Sequence, residues 1–217
     1  NDQPLLLFSV LPVLADMGVE VFSERPYKIR LGEKQLFWIQ DFELRYSGAD
    51  ALDIDSVAVR FQDCFRQLIA GQAEADGFNR LILAAGLDWR QTSLVRCYGK
   101  YLQQLRIPFS QDYMEDVLVA HADFSKTLVE QFESQFDPAI SRQKRNKALK
   151  SCKARIAKQV EKARNLDEDR IMSAFSRAVS ATLRSNYYQT TPDGDHKPVI
   201  SIKLDPSELP EVPLPRP

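Results

Sequence analysis

The sequence predicts an α+β fold that is predominantly α, with a small αββα sheet unit followed by a helical bundle and a C-terminal strand. Hydrophobic residues alternate with polar ones between about residues 19 and 46, the pattern of strands covered on one face. From residue 72 to residue 189 they recur every three or four positions, as on buried helix faces. Residues 197–206 alternate again. We therefore predict three regions, at residues 1–71, 72–189 and 190–217.

The first predicted element is a short helix over residues 9–17. Ser9 is expected to cap its N-terminus, and Pro12 is tolerated because it falls in the first turn. Gly18 follows the last helical residue, where a left-handed conformation is usual.

A β-hairpin is predicted next. Residues 19–22 are expected to be extended, Pro26 to interrupt the strand, and Gly32 with Glu33 to form the turn. One face of the following strand is apolar, with Gln40 as its exception: Leu36, Trp38, Phe42, Leu44 and Tyr46. The other face is mixed: Phe37, Ile39, Asp41, Glu43 and Arg45. This contrast predicts a sheet covered on one side.

The sheet unit is predicted to close with a helix that Asp53 or Asp55 caps and Gly71 ends. Its apolar stripe is Ile54, Val57, Phe61, Cys64, Phe65 and Leu68. This stripe gives the helix a face with which to pack on the sheet.

Six further helices are predicted between residues 72 and 189. The first three have the stripes Phe78, Leu81, Ile82 and Ala85; Trp89, Leu94, Val95, Tyr98, Tyr101, Leu102 and Leu105; and Tyr113, Val117 and Leu118, after a cap at Ser110. The last three have Phe124, Leu128, Phe132 and Phe136; Leu149, Cys152, Ile156, Val160 and Ala163; and Ile171, Phe175, Ala178 and Leu183. The sixth is expected to run from about Leu166 to Tyr188.

The last predicted element is a strand over residues 197–206, reached through a loop at residues 190–196 that turns at Asp193 and Gly194. Ile200, Ile202 and Leu204 share one face of it. No later segment could pair with this strand, since residues 207–217 hold four prolines. The chain also starts with Asn1 rather than Met. We therefore expect an excised piece of a larger protein.

Composition is that of a cytoplasmic globular protein. Of 217 residues, 44% are hydrophobic and 27% charged, and no apolar run approaches the roughly 18 residues of a membrane helix. The three cysteines, Cys64, Cys97 and Cys152, form no CxxC pair, which excludes a local zinc or thiol redox motif and suits a reducing compartment. We expect Cys64 and Cys97 to be buried.

Charge is distributed unevenly. Residues 142–164 hold ten Lys or Arg and one acid, a net charge of +9, so the rest of the chain sums to −10 against an overall −1. Such a helix could bind nucleic acid phosphates. Its apolar stripe and the lack of interleaved aromatics favour a solvated face that pairs with acids on a neighbouring element.

Residues suited to catalysis are few. His121 ends a predicted helix, where a positive charge complements the dipole, and His196 lies in a turn. Three acidic groups lie at helix starts, where carboxylates stabilise the N-terminus: Asp53 with Asp55; Asp112 with Glu115 and Asp116; and residues 167–169. Neither GxGxxG nor GxxxxGK[ST] occurs. We therefore predict no catalytic, cofactor-binding or metal-binding residue in this chain.

Three stretches together resemble one family, the large multidomain bacterial NAD-specific glutamate dehydrogenases. The first comprises LPVL (11–14), GVEV (18–21), ERPY (24–27) and WIQDF (38–42). The second comprises ADGFNRLIL (75–83), AGLDWR (85–90), and Tyr98, Lys100, Tyr101 and Leu102. The third comprises LDEDRI (166–171), TLRSNYYQ (182–189), IKLDP (202–206) and LPRP (214–217). Residues 139–165 resemble the family least.

The resemblance implies a place just before the catalytic region. Residues 1–71 would be the end of the last ACT-like module, a βαββαβ unit here without its first strand. Residues 72–189 would be a helical linker or scaffold, and residues 190–217 would lead into the catalytic domain. The parent enzyme would oxidise L-glutamate with NAD+ and water to 2-oxoglutarate, ammonium and NADH. Its substrate and NAD residues would lie outside this chain, which alone would be inactive.

Three roles for the chain remain open at this point. The first is a structural and regulatory scaffold, with the catalytic domain of the same chain as its partner in a homo-oligomer. The second is an amino-acid sensor at the ACT-like unit. The third is nucleic-acid binding through residues 142–164. We expect the first, and we expect neither a nucleic-acid nor a membrane partner.

Overall fold

A computed structural model describes residues 5–32, 35–48, 52–210 and 212 of the chain. The elements of the first part are α1 (Leu7–Asp16), β1 (Val19–Leu31), β2 (Gln35–Tyr46) and α2 (Ile54–Ile69). The helical part comprises α3 (Leu81–Ala84), α4 (Trp89–Gln104), α5 (Gln111–Ala120), α6 (Ala122–Phe136), α7 (Arg142–Val160) and α8 (Leu166–Ser180). Strands β3 (Thr182–Ser185) and β4 (Ile202–Leu204) follow, and short 3₁₀ turns occupy Gly77–Arg80 and Pro206–Glu208. The predicted fold class, α+β and mostly α, is confirmed.

Helix α1 starts earlier than predicted. Its N-cap residue is Leu6, which has no side-chain acceptor, so the prediction that Ser9 caps the helix is wrong. Pro12 consequently lies inside the helix rather than in its first turn. Gly18 has a φ of 83°, which confirms the left-handed residue between α1 and β1.

Strands β1 and β2 form one long antiparallel hairpin. The predicted interruption at Pro26 is wrong, because β1 is continuous and Pro26 lies opposite Gln40. A proline fits a paired strand where its missing N–H would point to the outer edge, so no ladder bond is lost. Gly32 has a φ of 65°, as its predicted turn requires, whereas Glu33 lies outside the described residues.

The two faces of β2 differ as predicted. Leu36, Trp38, Phe42 and Tyr46 are half-buried, and Phe37, Ile39, Asp41, Glu43 and Arg45 are exposed. Leu44, expected on the covered face, is exposed. Gln40 accepts from the backbone N–H of Leu5 at 3.1 Å and donates to its carbonyl at 3.0 Å, which accounts for an amide on the apolar face.

Helix α2 buries Val57, Cys64 and Leu68, but Ile54 is 69% exposed, so its place in the predicted stripe is wrong. Asp53 is the N-cap residue, but its carboxylate accepts no capping hydrogen bond, and Asp55 lies inside the first turn, so the prediction that one of these side chains caps the helix is wrong. Gly71, with a φ of 68°, follows the end of the helix as predicted.

The sheet unit and the helical part share hydrophobic cores. Leu83 of α3 packs with Val10 and Leu14 of α1, and Ile82 packs with Met17 and Cys64. The largest core lies among the later helices and includes Phe78, Leu94, Tyr98, Leu128, Phe132 and Phe175. Side chains of α3 therefore join the two parts of the chain.

The end of α8 differs from the prediction. The helix stops at Ser180, not near Tyr188, and residues 182–185 form a strand. This strand pairs antiparallel with β4, so the prediction of a C-terminal strand without a partner is also wrong. The regular part of β4 covers only three residues. The intervening loop is as predicted, with a bridge between Thr190 and His196 and a φ of 90° at Gly194.

Candidate functional site

Helix α4 carries the candidate site because polar side chains extend from it in two directions. The helix begins with a capping box, in which the Asp88 carboxylate accepts from backbone N–H groups and the Gln91 amide accepts from the N–H of Asp88. Leu94, Tyr98 and Leu102 bury one side of the helix in the core. Arg90 and Arg96 are also buried, and each binds a distant part of the chain.

Arg96 is the centre of a buried polar junction, which we define as Asp76, Asn79, Arg80, Arg96, Gln111 and Glu115. The Nε and Nη2 groups of Arg96 donate to the two carboxylate oxygens of Asp76 at 2.7 and 2.8 Å. Nη2 also donates to Asn79 Oδ1 at 2.6 Å. The side chain of Arg96 is only 4% exposed, so this bidentate pair is shielded from water.

Helix α5 completes the polar junction. Gln111 donates to Asp76 at 3.2 Å and to Glu115 at 2.8 Å, and burial raises the pKa of Glu115. Arg80 donates to the carbonyl of Gly77 at 3.0 Å and pairs with Asp116 at 2.8 Å.

Two features fix this geometry. A Cβ at Gly77 would collide with the Glu115 carboxylate, so a larger residue here would displace that carboxylate. The pKa of Asp16 in α1 is raised, first by burial and second by the negative charge of Asp76. The junction therefore connects the turn at Gly77–Arg80 to α4 and α5.

Arg90 binds the other end of the chain. Its Nη2 donates to the carbonyl of Tyr187 at 3.0 Å and its Nη1 to the carbonyl of Lys197 at 3.1 Å. The guanidinium also lies 4.9 Å from the centre of the Tyr187 ring. Three contacts thus hold the loop between β3 and β4 against α4.

An open groove runs along α4, between this helix and residues 198–204. Its volume is about 880 Å³. Helix α4 contributes Ser93, Arg96, Cys97, Lys100, Tyr101 and Gln104, and residues 198–204 form the facing wall. Lys100 pairs with Glu74 at the rim, and burial raises the pKa of the Cys97 thiol, which therefore stays protonated.

The predicted histidines occupy structural positions. His121 ends α5 as predicted, and its Nε2 lies 2.8 Å from Glu168, which is 2% exposed. Glu168 also accepts from the backbone N–H of Arg164 at 2.8 Å and from its guanidinium at 2.7 Å. These donors lower the pKa of Glu168 to about 2. His196 lies in the loop before β4.

The predicted acidic groups separate in the structure. Glu115 and Asp116 contact Arg80, Glu168 binds His121, and Asp53 with Asp55 stays at the start of α2. Within the described ranges, no three His, Cys, Asp or Glu side chains could hold a metal ion. Cys64 is buried as predicted, with its pKa raised to about 12 by burial, but Cys97 is half-buried.

The basic helix meets the expectation of acidic partners in part. Arg155 pairs with Glu130 of α6, and Arg164 pairs with Glu168. Arg145 instead donates to the carbonyls of Asp137 and Ile140. The side chains Arg142, Lys144, Lys147, Lys150, Lys153, Lys158 and Lys162 are exposed.

The strands of the described residues are arranged differently from those of a dinucleotide-binding unit. A dinucleotide pyrophosphate binds at the turn of a parallel βαβ unit, and the strands in this part of the chain pair only antiparallel. None of the described helices combines the length and the apolar character needed to cross a bilayer.

Sequence reasoning did not identify Asp76, Arg90 or Arg96 as important. A signal was available, because Arg96 adjoins the apolar pair Leu94 and Val95 on a helix predicted to be buried. A charged residue there must have a partner. The partners could not be inferred, since they lie between 17 and 107 residues away.

Three family models match the chain in succession. Residues 1–57 match the ACT3 domain of glutamate dehydrogenase, and residues 73–138 match its helical motif 3. Residues 155–217 match the catalytic domain of bacterial NAD-glutamate dehydrogenase.

Curated relatives agree with these matches. The NAD-specific glutamate dehydrogenases of Halomonas elongata, Pseudomonas aeruginosa and Mycobacterium tuberculosis are each 36% identical to this chain. The alignments cover 99%, 100% and 97% of this chain. They cover only 13%, 14% and 13% of the relatives, so the chain spans about an eighth of their length.

Proposed function

The chain belongs to the family of bacterial NAD-specific glutamate dehydrogenases, and from this premise we propose that it is a non-catalytic structural and regulatory segment of such an enzyme. The parent enzyme, meaning the full-length protein, would oxidise L-glutamate with NAD+ and water to 2-oxoglutarate, ammonium and NADH. The nicotinamide supplies the hydride chemistry, and residues elsewhere in the parent would bind it. We place the parent in the cytoplasm as a homo-oligomer.

The observation that carries the proposal is the order of the three matched ranges along one chain. We infer that residues 1–71 are an ACT-like unit, residues 72–189 a helical scaffold, and residues 190–217 the lead into the catalytic domain, whose family match already begins at residue 155 within the scaffold. The shared hydrophobic clusters support a scaffold role, since Leu83 packs with Val10 and Leu14 and Ile82 packs with Met17 and Cys64, which joins the ACT-like unit to the helices. Arg90 supports it too, since it fixes the residues before β4 to helix α4.

This geometry gives the segment a mechanical function. A displacement of α1 would reach α4 through the cluster in which Met17 packs with Ile82 and Trp89, and α4 holds the loop that precedes β4. The segment would thereby set the position of the catalytic domain relative to the ACT-like modules. It would supply no group that touches substrate or cofactor.

The test compares the full-length protein with the 217-residue chain for glutamate-dependent reduction of NAD+. We expect turnover by the full-length protein and none by the chain alone, with NADH formation as the readout. Catalysis by the isolated chain, or a full-length protein inactive with glutamate and NAD+, would contradict the proposal. A matched control is the full-length protein assayed without glutamate.

A further inference from the structure

Within the described residues, no strand pairs with the edge of β4 that faces away from β3. The carbonyl of Ser201 accepts from the N–H of Asn186 at 3.2 Å, and the N–H of Asp205 donates to the carbonyl of Ala181 at 2.8 Å. Successive residues of a strand direct their backbone groups to opposite edges. Ile200, Ile202 and Leu204 therefore present theirs to the other edge. Among the described residues, β4 has β3 as its sole strand neighbour.

The groove defined above lies beside this strand and has the dimensions of an added strand. Its α4 wall, from Ser93 to Gln104, is about 16 Å long at 1.5 Å per helical residue. Its other wall, residues 198–204, is about 20 Å long at 3.3 Å per strand residue. A strand placed there would lie between α4 and β4.

The α4 wall of the groove favours an uncharged occupant. Arg96 is neutralised by Asp76 and Lys100 by Glu74, so neither cation needs an anionic ligand. Between them lie the thiol of Cys97 and the ring of Tyr101. Such a surface suits aliphatic or aromatic side chains.

We propose that the groove receives one short, apolar strand, which pairs with the outer edge of β4 and belongs to the rest of the parent's catalytic domain. The proposal rests on the proposed function. Pro198, the next residue with the same orientation, has no N–H, so it limits the pairing to the three donors at residues 200, 202 and 204.

Two observations favour this source over a second copy of the chain. The catalytic-domain match covers both β3 and β4, so the sheet that would be extended lies within that domain. Relatives are about eight times longer than the chain, so the parent has ample sequence to supply a strand. A sheet of two short strands gains stability from a third.

Cys97 is the reporter for the test, because it lines the groove while Cys64 and Cys152 are buried. The native full-length protein is treated with a maleimide, and labelling of each cysteine is followed by peptide mass mapping. We expect Cys97 to react as slowly as Cys64, and at least about tenfold more slowly than in the folded 217-residue chain. A full-length Cys97→Ser variant identifies the labelled peptide.

Amide exchange supplies the second measurement. In the full-length protein, the amides of Ile200, Ile202 and Leu204 should be as protected as those of Ser201 and Lys203. Fast labelling of Cys97 together with fast exchange at the three even positions overturns the proposal. Labelling of Cys97 in the 217-residue chain that becomes slower as the protein concentration rises would assign the groove to a second copy. This result would also overturn the proposal.

Activity separates this proposal from the function on which it rests. If the same full-length sample oxidises glutamate while Cys97 reacts fast, the strand proposal fails and the proposed function stands. If the sample is inactive with glutamate, the proposed function fails, and the labelling result still decides whether the groove is covered.

Discussion

At the residue scale, the polar junction depends on the shape of one guanidinium group. Arg96 donates to both carboxylate oxygens of Asp76, to Asn79, and to the hydroxyl of Ser93 at 3.4 Å. A lysine ammonium has the charge but lacks the planar fork that matches a carboxylate. The junction therefore requires arginine at this position rather than any cation.

Replacing this residue should be costly. We expect Arg96→Met to lower the free energy of unfolding by about 3–5 kcal/mol, because the Asp76 carboxylate stays buried without its partner. Arg96→Lys should lose less, about 1–3 kcal/mol, since the charge is kept. Urea unfolding followed by circular dichroism measures both.

The matched control is Arg66→Met, which breaks an ion pair with Asp63 whose arginine is 70% exposed. That substitution should change the free energy of unfolding by less than about 1 kcal/mol relative to the unsubstituted chain. Equal losses at Arg96 and Arg66 would show that burial of the junction does not matter.

Glu168 should make stability depend on acid pH. Its folded-state pKa of about 2 lies below the ordinary value of 4.5, so the unfolded chain binds the proton more readily. The stabilisation is fully present above 4.5 and is lost as the pH falls towards 2. Glu168→Gln should remove this part of the pH dependence and cost about 1.5–3 kcal/mol near neutral pH.

Urea titrations across this pH range test the expectation. Asp167→Asn is the control, because Asp167 lies on the same helical turn but is 54% exposed. The dependence of its unfolding free energy on pH should follow that of the unsubstituted chain. If the Glu168→Gln variant also shows the pH dependence of the unsubstituted chain, the Arg164 and His121 contacts do not lower the pKa of Glu168.

At the element scale, the helices α4, α5 and α6 were predictable because their signals are local. Asp88 and Ser110 cap the helices that follow them, and Phe124, Leu128 and Phe132 recur every four residues. Strand β3 was not predictable from its own residues. Its conformation depends on β4, which lies about 20 residues further along the chain. The continuity of β1 through Pro26 likewise depends on its pairing with β2.

The same distinction explains the site. Sequence patterns place Glu115 and Glu168 at helix starts but cannot show that they face Gln111 and His121. Arg90 illustrates the limit, because one of its acceptors is a backbone carbonyl 107 residues away. No side-chain pattern records a backbone acceptor.

Arg90 should hold the loop between β3 and β4 in place. We expect Arg90→Lys to raise amide exchange across residues 187–197, because lysine cannot bind two carbonyls and stack on Tyr187 at once. Exchange within α4 should change little. Hydrogen exchange with mass spectrometry provides the measurement.

The control for this change is Arg184→Lys, an exposed position on β3. It should leave exchange at residues 187–197 unaltered. Unchanged exchange in Arg90→Lys as well would mean that the three Arg90 contacts do not restrain the loop.

At the scale of the whole molecule, the ACT-like unit and the helical scaffold share their cores. Ile82 lies in one cluster with Met17 and Cys64, and Leu83 in another with Val10 and Val57. Trp89 of α4 also packs against the cluster that contains Met17 and Cys64. Neither part can lose its packing without exposing apolar surface of the other, so the two should unfold together.

The two tryptophans make this cooperativity measurable. Trp38 lies on the hairpin and Trp89 begins α4, so Trp38→Phe and Trp89→Phe each leave one fluorescent reporter. Trp38 reports on the ACT-like unit and Trp89 on the scaffold, and both should give the same urea midpoint of unfolding. Ile82→Ala should lower both midpoints together, with a loss of about 2–5 kcal/mol, because Ile82 is fully buried. Ile54→Ala, at a site 69% exposed, should shift neither. Two separated midpoints, or an Ile82→Ala effect confined to one reporter, would show that the parts unfold independently and would remove the physical basis for a rigid scaffold.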